Sequence, residues 1–147
     1  MADQAQGVIP HLVVNDAAAA LEFYKKGLGA TEVMRLPAQD GKRLMHAEIA
    51  VNGARMFVRD HFPEHCPAAA GGREAGKLAP PAALGGTAVT LHLEVADCDE
   101  AVRRIVAAGA TVTMAPMDAF WGARYGQVVD PFGHAWSFAH PLRKDRD

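Results

Sequence analysis

The sequence is short of several things, and each shortage narrows what the chain can be. It has two cysteines, Cys66 and Cys98, far apart and at no zinc or redox spacing. A disulfide framework is therefore not expected, and a reducing compartment is. No apolar run approaches the roughly 20 residues that span a bilayer. The opening Met1-Ala2-Asp3-Gln4-Ala5-Gln6 has neither the basic stretch nor the apolar stretch of a secretory signal, so a cytoplasmic location is the expectation. The net charge of −2 offers no field to attract nucleic acid or an anionic membrane. Glycine-rich phosphate loops, nucleophile elbows, paired catalytic cysteines and methyl-donor-binding glycine motifs are all missing.

What the 147 residues do contain is a repeat. At an offset of 81, His11-Leu12-x-Val14-x-Asp16 lies over His92-Leu93-x-Val95-x-Asp97, and Ala20 over Ala101. After one gap the offset becomes 80, placing Gly29-Ala30-Thr31 over Gly109-Ala110-Thr111 and Gly53 over Gly133. The matches fall at caps and turns, where backbone geometry is fixed, which marks a duplicated structural unit.

Local physics supports the same unit twice. Residues 8–14 and 87–95 are rich in β-branched side chains and read as strands. Asp16 and Asp97 follow as helix N-caps, and Glu100 suggests a capping box with Asp97. The first helix carries an apolar stripe of Leu21, Tyr24 and Leu28, and Gly27 or Gly29 ends it. The second carries Val102, Ile105 and Val106, and Gly109 stops it. Three strands follow each helix, at 31–36, 43–51 and 54–59, then at 111–114, 124–129 and 135–139. Asn52-Gly53 and Asp130-Pro131-Phe132-Gly133 supply the closing turns. The expectation is one α+β domain of two tandem βαβββ modules, at 7–60 and 87–140, joined by a proline- and glycine-bearing linker at 61–86.

Several motifs now combine: the Asn-Asp cap, Glu22-Phe23-Tyr24, Gly27-Leu28-Gly29-Ala30 and His46-Ala47-Glu48 ahead of the Asn-Gly hairpin. With Phe120-Trp121-Gly122-x-Arg124-Tyr125-Gly126 and Asp130-Pro131-Phe132-Gly133-His134-x-Trp136, the chain resembles the glyoxalase / bleomycin-resistance / extradiol-dioxygenase (vicinal oxygen chelate) superfamily, and within it the PhnB-like branch. The resemblance runs from about residue 8 to residue 140. It implies modules whose curved mixed sheets enclose a cleft, where related enzymes hold a divalent metal on the first and last strands of each module. Carried over by motif, those four positions are Ile9, Phe57, Thr90 and Ser137. Two have no donor atom and two have hydroxyls, which are poor metal ligands alone, so no metal centre is expected there and no cofactor overall.

His11 and His92 lie two residues beyond Ile9 and Thr90, on the same strand faces, and are expected to look into the cleft. As polar groups lining a pocket they would bond a ligand. The alternative is a shifted divalent-metal site of His11, His92 and Glu48. Glu48 shares a strand face with His46; it is either a general base with a pKa raised by apolar walls or a structural partner of a neighbouring strand. Trp121 and Arg124 either form a recognition edge, with the indole stacking and the guanidinium holding an anion, or are hairpin residues, with Arg124 paired to an acid. Trp136 is expected to pack under a helix, and His134 to be structural. His61-x-x-x-His65-Cys66 reads as a solvated loop because Pro63 disfavours the helix that would align the imidazoles.

The functional expectation is a homodimer binding a small molecule in its clefts, with Phe57, Thr90 and Ser137 in the lining and no nucleic-acid or membrane partner. The alternative is a glyoxalase-like lyase or a dioxygenase.

Overall fold

The computed structural model describes residues 6–65 and 78–143. Cys66 and most of the linker lie outside the described residues. The first module runs β1 (His11–Val14), α1 (Ala17–Leu28), β2 (Thr31–Pro37), β3 (Leu44–Val51) and β4 (Ala54–Asp60). A 3-10 turn (Pro63–His65) and a short helix α2 (Pro81–Leu84) follow. The second module repeats the first as β5 (Thr90–Glu94), α3 (Cys98–Ala108), β6 (Thr111–Asp118), β7 (Ala123–Val129) and β8 (Ala135–Pro141). Each module is one four-stranded mixed sheet, in the orders β1-β4-β3-β2 and β5-β8-β7-β6. The α+β duplication is thus realised strand for strand.

The element ends have local causes. β1 begins at His11 rather than at residue 8, because Pro10 has no N–H to donate; its carbonyl still accepts from Phe57 N at 2.9 Å. β5 begins at Thr90 rather than at residue 87, where the Thr87 hydroxyl accepts from Val89 N and bends the chain locally. Asp16 caps α1 through Ala19 N, and Asp97 caps α3 through Glu100 N. The expected capping box does not close, since the Glu100 carboxylate pairs with Arg103. Val106 is partly exposed, and Cys98 joins Val102 and Ile105 on the buried face of α3. Asn52 and Gly53, at φ 49° and 80°, make the tight hairpin between β3 and β4. A register shift falls between Glu32 and Met34 in β2 and again between Val112 and Met114 in β6, so even the bulge is duplicated.

Gly29, at φ 67°, ends α1. Gly27 has another task. A Cβ there would lie 3.0 Å from Ile105 Cγ1, so glycine lets α1 and α3 approach closely across the module boundary. Three polar contacts fix the same boundary. Tyr24 donates its hydroxyl to Asp130 Oδ2 at 2.6 Å, Arg104 Nε donates to Lys26 O at 2.7 Å, and His134 Nε2 lies 2.9 Å from Val13 O. Burial holds the Tyr24 hydroxyl protonated, its pKa pushed well up first by desolvation and then by Asp130. Trp136 packs against Tyr24 and donates its indole N–H to the same Asp130 oxygen at 2.9 Å. The core therefore runs unbroken from Leu12, Leu21 and Ile49 through Ile105 to Trp136 and Phe138.

The helices cover one face of each sheet. The backbone ladders stay within each module, and between the modules α1 packs on α3 with the three polar contacts beside that seam. The opposite face of each sheet is left open among the described residues.

Candidate functional site

Strand alternation decides which side chains reach the open faces. In the first module Leu12, Ile49, Met56 and Val58 point to the helix, so His11, Glu48, Phe57 and Arg59 point away from it. His11 stands opposite Phe57, and Phe57 opposite Glu48. The three rings of His11, His46 and Phe57 meet edge to face, with centroids 5.7 Å apart for the imidazoles, 5.6 Å for His11 and Phe57, and 4.6 Å for His46 and Phe57. Burial lowers the His11 pKa, and the Arg59 guanidinium and His46 lower it further. The imidazole is therefore neutral at neutral pH, with one nitrogen free to donate and the other to accept.

Of the two readings of Glu48, the geometry is that of a structural partner across strands rather than that of a general base. Arg55 grips its carboxylate through two bonds of 3.0 Å and holds its pKa down, the opposite of the rise apolar walls would cause. A carboxyl lowered in this way is a poor proton acceptor near neutral pH.

The open face of the second module carries Thr90, His92, Glu94, Tyr125, Gln127 and Ser137. His92 stands opposite Ser137, with Nδ1 2.7 Å from the buried Ser137 hydroxyl. Glu94 lies 3.6 Å from the other imidazole nitrogen. Gln127 donates to the Tyr125 hydroxyl at 2.7 Å. A run of rings continues outward: His92 stacks on Tyr125 at 6.1 Å, Tyr125 meets Trp121 at 5.5 Å, and Trp121 meets Phe120 at 5.2 Å. Phe120 is 98% exposed and Trp121 57%, so this ladder is built but uncovered.

Trp121 and Arg124 do not form one edge. Trp121 belongs to the ring ladder, whereas the Arg124 fork is filled by Asp99 at 2.9 and 3.1 Å and by Asp118 at 3.0 Å. Those two carboxylates leave the guanidinium little capacity for a ligand anion. Sequence reasoning missed Tyr125 and Gln127, although both have the parity of Ser137 across the β7–β8 ladder. It also missed His46 as part of the ring cluster and Arg59 altogether.

The metal carried by related enzymes does not fit here. Ile9 precedes β1 and has no donor, Phe57 presents a ring packed among imidazoles, and the Ser137 hydroxyl is buried against His92. The shifted set fares no better within one chain: Glu48 is held by Arg55, and no group of three or more His, Cys, Asp or Glu among the described residues could hold a metal ion. The His61–His65 stretch is also unlike a wholly solvated loop, because His61 Nδ1 is buried with no hydrogen-bond partner among the described residues.

Comparison with known proteins agrees with this architecture. The family model of the Glyoxalase/Bleomycin resistance protein/Dioxygenase superfamily matches residues 7–138. The uncharacterized protein Rv0887c of Mycobacterium tuberculosis is 47% identical over 135 residues, covering 92% of this chain and 74% of that protein. Among solved structures, the Arabidopsis thaliana gene product At5g48480 is 27% identical at a TM-score of 0.68, over 92% of this chain and 98% of that one. A PhnB protein from Bacillus cereus shares the fold at 14% identity and a TM-score of 0.63, over 92% of this chain and 99% of that one. The chain belongs to the glyoxalase/bleomycin resistance protein/dioxygenase superfamily.

Proposed function

We propose that this protein is a metal-independent small-molecule binder that works as a homodimer, each cleft formed where the open sheet face of one module meets an open face from a second copy. The observation that carries the reading is the pair of built faces that nothing covers among the described residues. Each has a histidine held in place by its neighbours, and each is rimmed by apolar side chains: Met34, Leu36 and Met45 on one, Met114, Met117 and Trp121 on the other. Soluble monomers rarely leave apolar patches of this kind bare. Burial between two copies would desolvate the imidazoles, Tyr125 and Gln127 together. The result would be a largely apolar pocket with a few convergent polar groups, the usual form of a small-molecule site.

The chemistry suits binding better than turnover. The faces offer imidazole and hydroxyl groups and stacking rings. Ser137, His92 and Glu94 do fall in line, but the Ser137 hydroxyl is buried and Glu94 stands 3.6 Å from the imidazole, beyond the hydrogen-bond length that would orient it as a base. A cytoplasmic location accords with this reading.

The test is calorimetric titration of a panel of planar aromatic compounds into protein treated with chelator, then repeated after loading with iron, nickel or zinc. Binding that is unchanged by chelator and metal, with a dimeric mass in light scattering, is the expected result. A monomeric mass, or binding that appears only with a metal, would contradict it.

A further inference from the structure

Nearly every arginine in the first module is already matched with an acid. Arg35 pairs with Glu32, Arg43 with Asp40 and Glu64, and Arg55 with Glu48. Arg59 is different. Its one hydrogen bond among the described residues runs from Nη1 to the carbonyl of Asp60 at 3.1 Å. Arg59 has no carboxylate partner among those residues, yet it is only partly exposed, and its charge is felt by His11 on the same face. A guanidinium left in this state still has most of its planar fork free for an oxyanion.

The surroundings of Arg59 form a cavity of about 830 Å³, within the size range of small-molecule sites. Met45, Phe62 and Leu78 supply an apolar wall. Asp40, Arg43 and Glu64 line it as well, already linked to one another, and the Arg43 guanidinium lies 4.3 Å over the Phe62 ring. The backbone N–H groups of Arg43 and Lys42, and the Arg43 side chain, hold the Asp40 carboxyl down at about 2, so it remains anionic at working pH. The lining thus offers one unmatched cation, an apolar surface, and carboxylates that would repel a second negative charge.

We propose that this cavity receives the charged end of an amphipathic organic monoanion, a carboxylate on an aromatic or apolar body, and that Arg59 is the residue that recognises the charge. This rests on the reading of the open faces as a ligand site and adds the ligand's class. The carboxylate sits in the Arg59 fork, and the body lies along Met45 and Phe62 toward the His11–Phe57 rings. A dianion such as a phosphate monoester is disfavoured by Asp40 and Glu64.

The probes are 2-naphthoate, its neutral isostere 2-naphthalenemethanol, and 2-naphthyl phosphate, titrated calorimetrically into the full chain and into Arg59→Gln, Arg59→Lys and His92→Ala. In the unmodified protein naphthoate should bind at least about tenfold more tightly than the alcohol, as a charge-assisted bond predicts. The phosphate should bind no better than naphthoate. Arg59→Gln should bring naphthoate down to the alcohol's affinity while leaving the alcohol unchanged, which also reports that the variant is folded. Arg59→Lys should keep part of the preference. Equal affinity for acid and alcohol, a preference that survives Arg59→Gln, tighter binding of the phosphate, or no binding of any probe would overturn the proposal. Binding lost in His92→Ala but indifferent to Arg59 would overturn it while leaving the paired-face reading intact.

Discussion

Asp130→Ala is expected to cost about 3–5 kcal/mol in urea unfolding, the largest effect of any single substitution considered for this chain. Asp130 is 3% exposed and accepts four hydrogen bonds: from Phe132 N and His134 N on Oδ1, and from Tyr24 OH and Trp136 Nε1 on Oδ2. Alanine would leave four donors without their acceptor, two of them on the largest buried side chains in the core. Each buried donor so orphaned costs about 1–3 kcal/mol, less whatever water can recover. Asp130→Asn separates the contributions. Its carbonyl oxygen can still serve the turn, but its NH₂ would face the Tyr24 and Trp136 donors, so a loss of about 2 kcal/mol is expected. Tyr24→Phe should cost about 1 kcal/mol, because it removes one bond and leaves the carboxylate its other three donors. A loss below about 1 kcal/mol for Asp130→Ala would mean that the turn is not the lock between the modules that its bonding implies.

The second large effect concerns assembly. Met114 and Met117 lie on β6, 40% and 44% exposed, beside the Trp121 ladder. Neither belongs to the buried core, so on changing both to aspartate the monomer should lose no more than about 1–2 kcal/mol in thermal stability, from lost side-chain cover and the poor strand propensity of aspartate. In a dimer whose faces meet there, each new carboxylate would be buried without a partner, at several kcal/mol apiece. The dissociation constant should rise by at least about a hundredfold, and ligand binding should fall with it. Sedimentation at micromolar concentration distinguishes the outcomes. An unchanged dimer would place the interface elsewhere, and binding that survives in a monomer would remove the second copy from the site.

The parts of this account that were legible in the sequence are those fixed by local geometry. Asp16 and Asp97 as caps, Gly29 and Gly109 as stops, and the Asn52-Gly53 turn all express short-range backbone constraints, and their repetition exposed the duplication. Strand parity then placed His11 and His92 on the helix-free faces, as the register with Phe57 and Ser137 shows. Charge pairing was harder to read. Arg124 meets Asp99 across 25 residues, a contact made only when α3 lies on its sheet. Glu48 and Arg55 are a milder case: the two-residue turn sets Ala50 opposite Arg55, which makes Glu48 its diagonal neighbour. That pairing was readable and would have decided between the two readings of Glu48 in favour of the structural one, with a lowered pKa. Arg59 could not be singled out in advance, because what distinguishes it is that no acid folds onto it among the described residues. The role of Gly27 as a spacer was likewise hidden, since it depends on Ile105 in the other module.

The sharpest measurement is a mixing experiment between two binding-deficient variants, His11→Ala and His92→Ala, each prepared as a dimer and then exchanged with the other. If every cleft takes His11 from one copy and His92 from the other, the mixed dimer contains one intact site and one doubly altered site. Calorimetry should then recover about one binding site per mixed dimer at the unmodified affinity. If each cleft drew both histidines from a single chain, no combination would contain an intact site, and mixing would restore nothing.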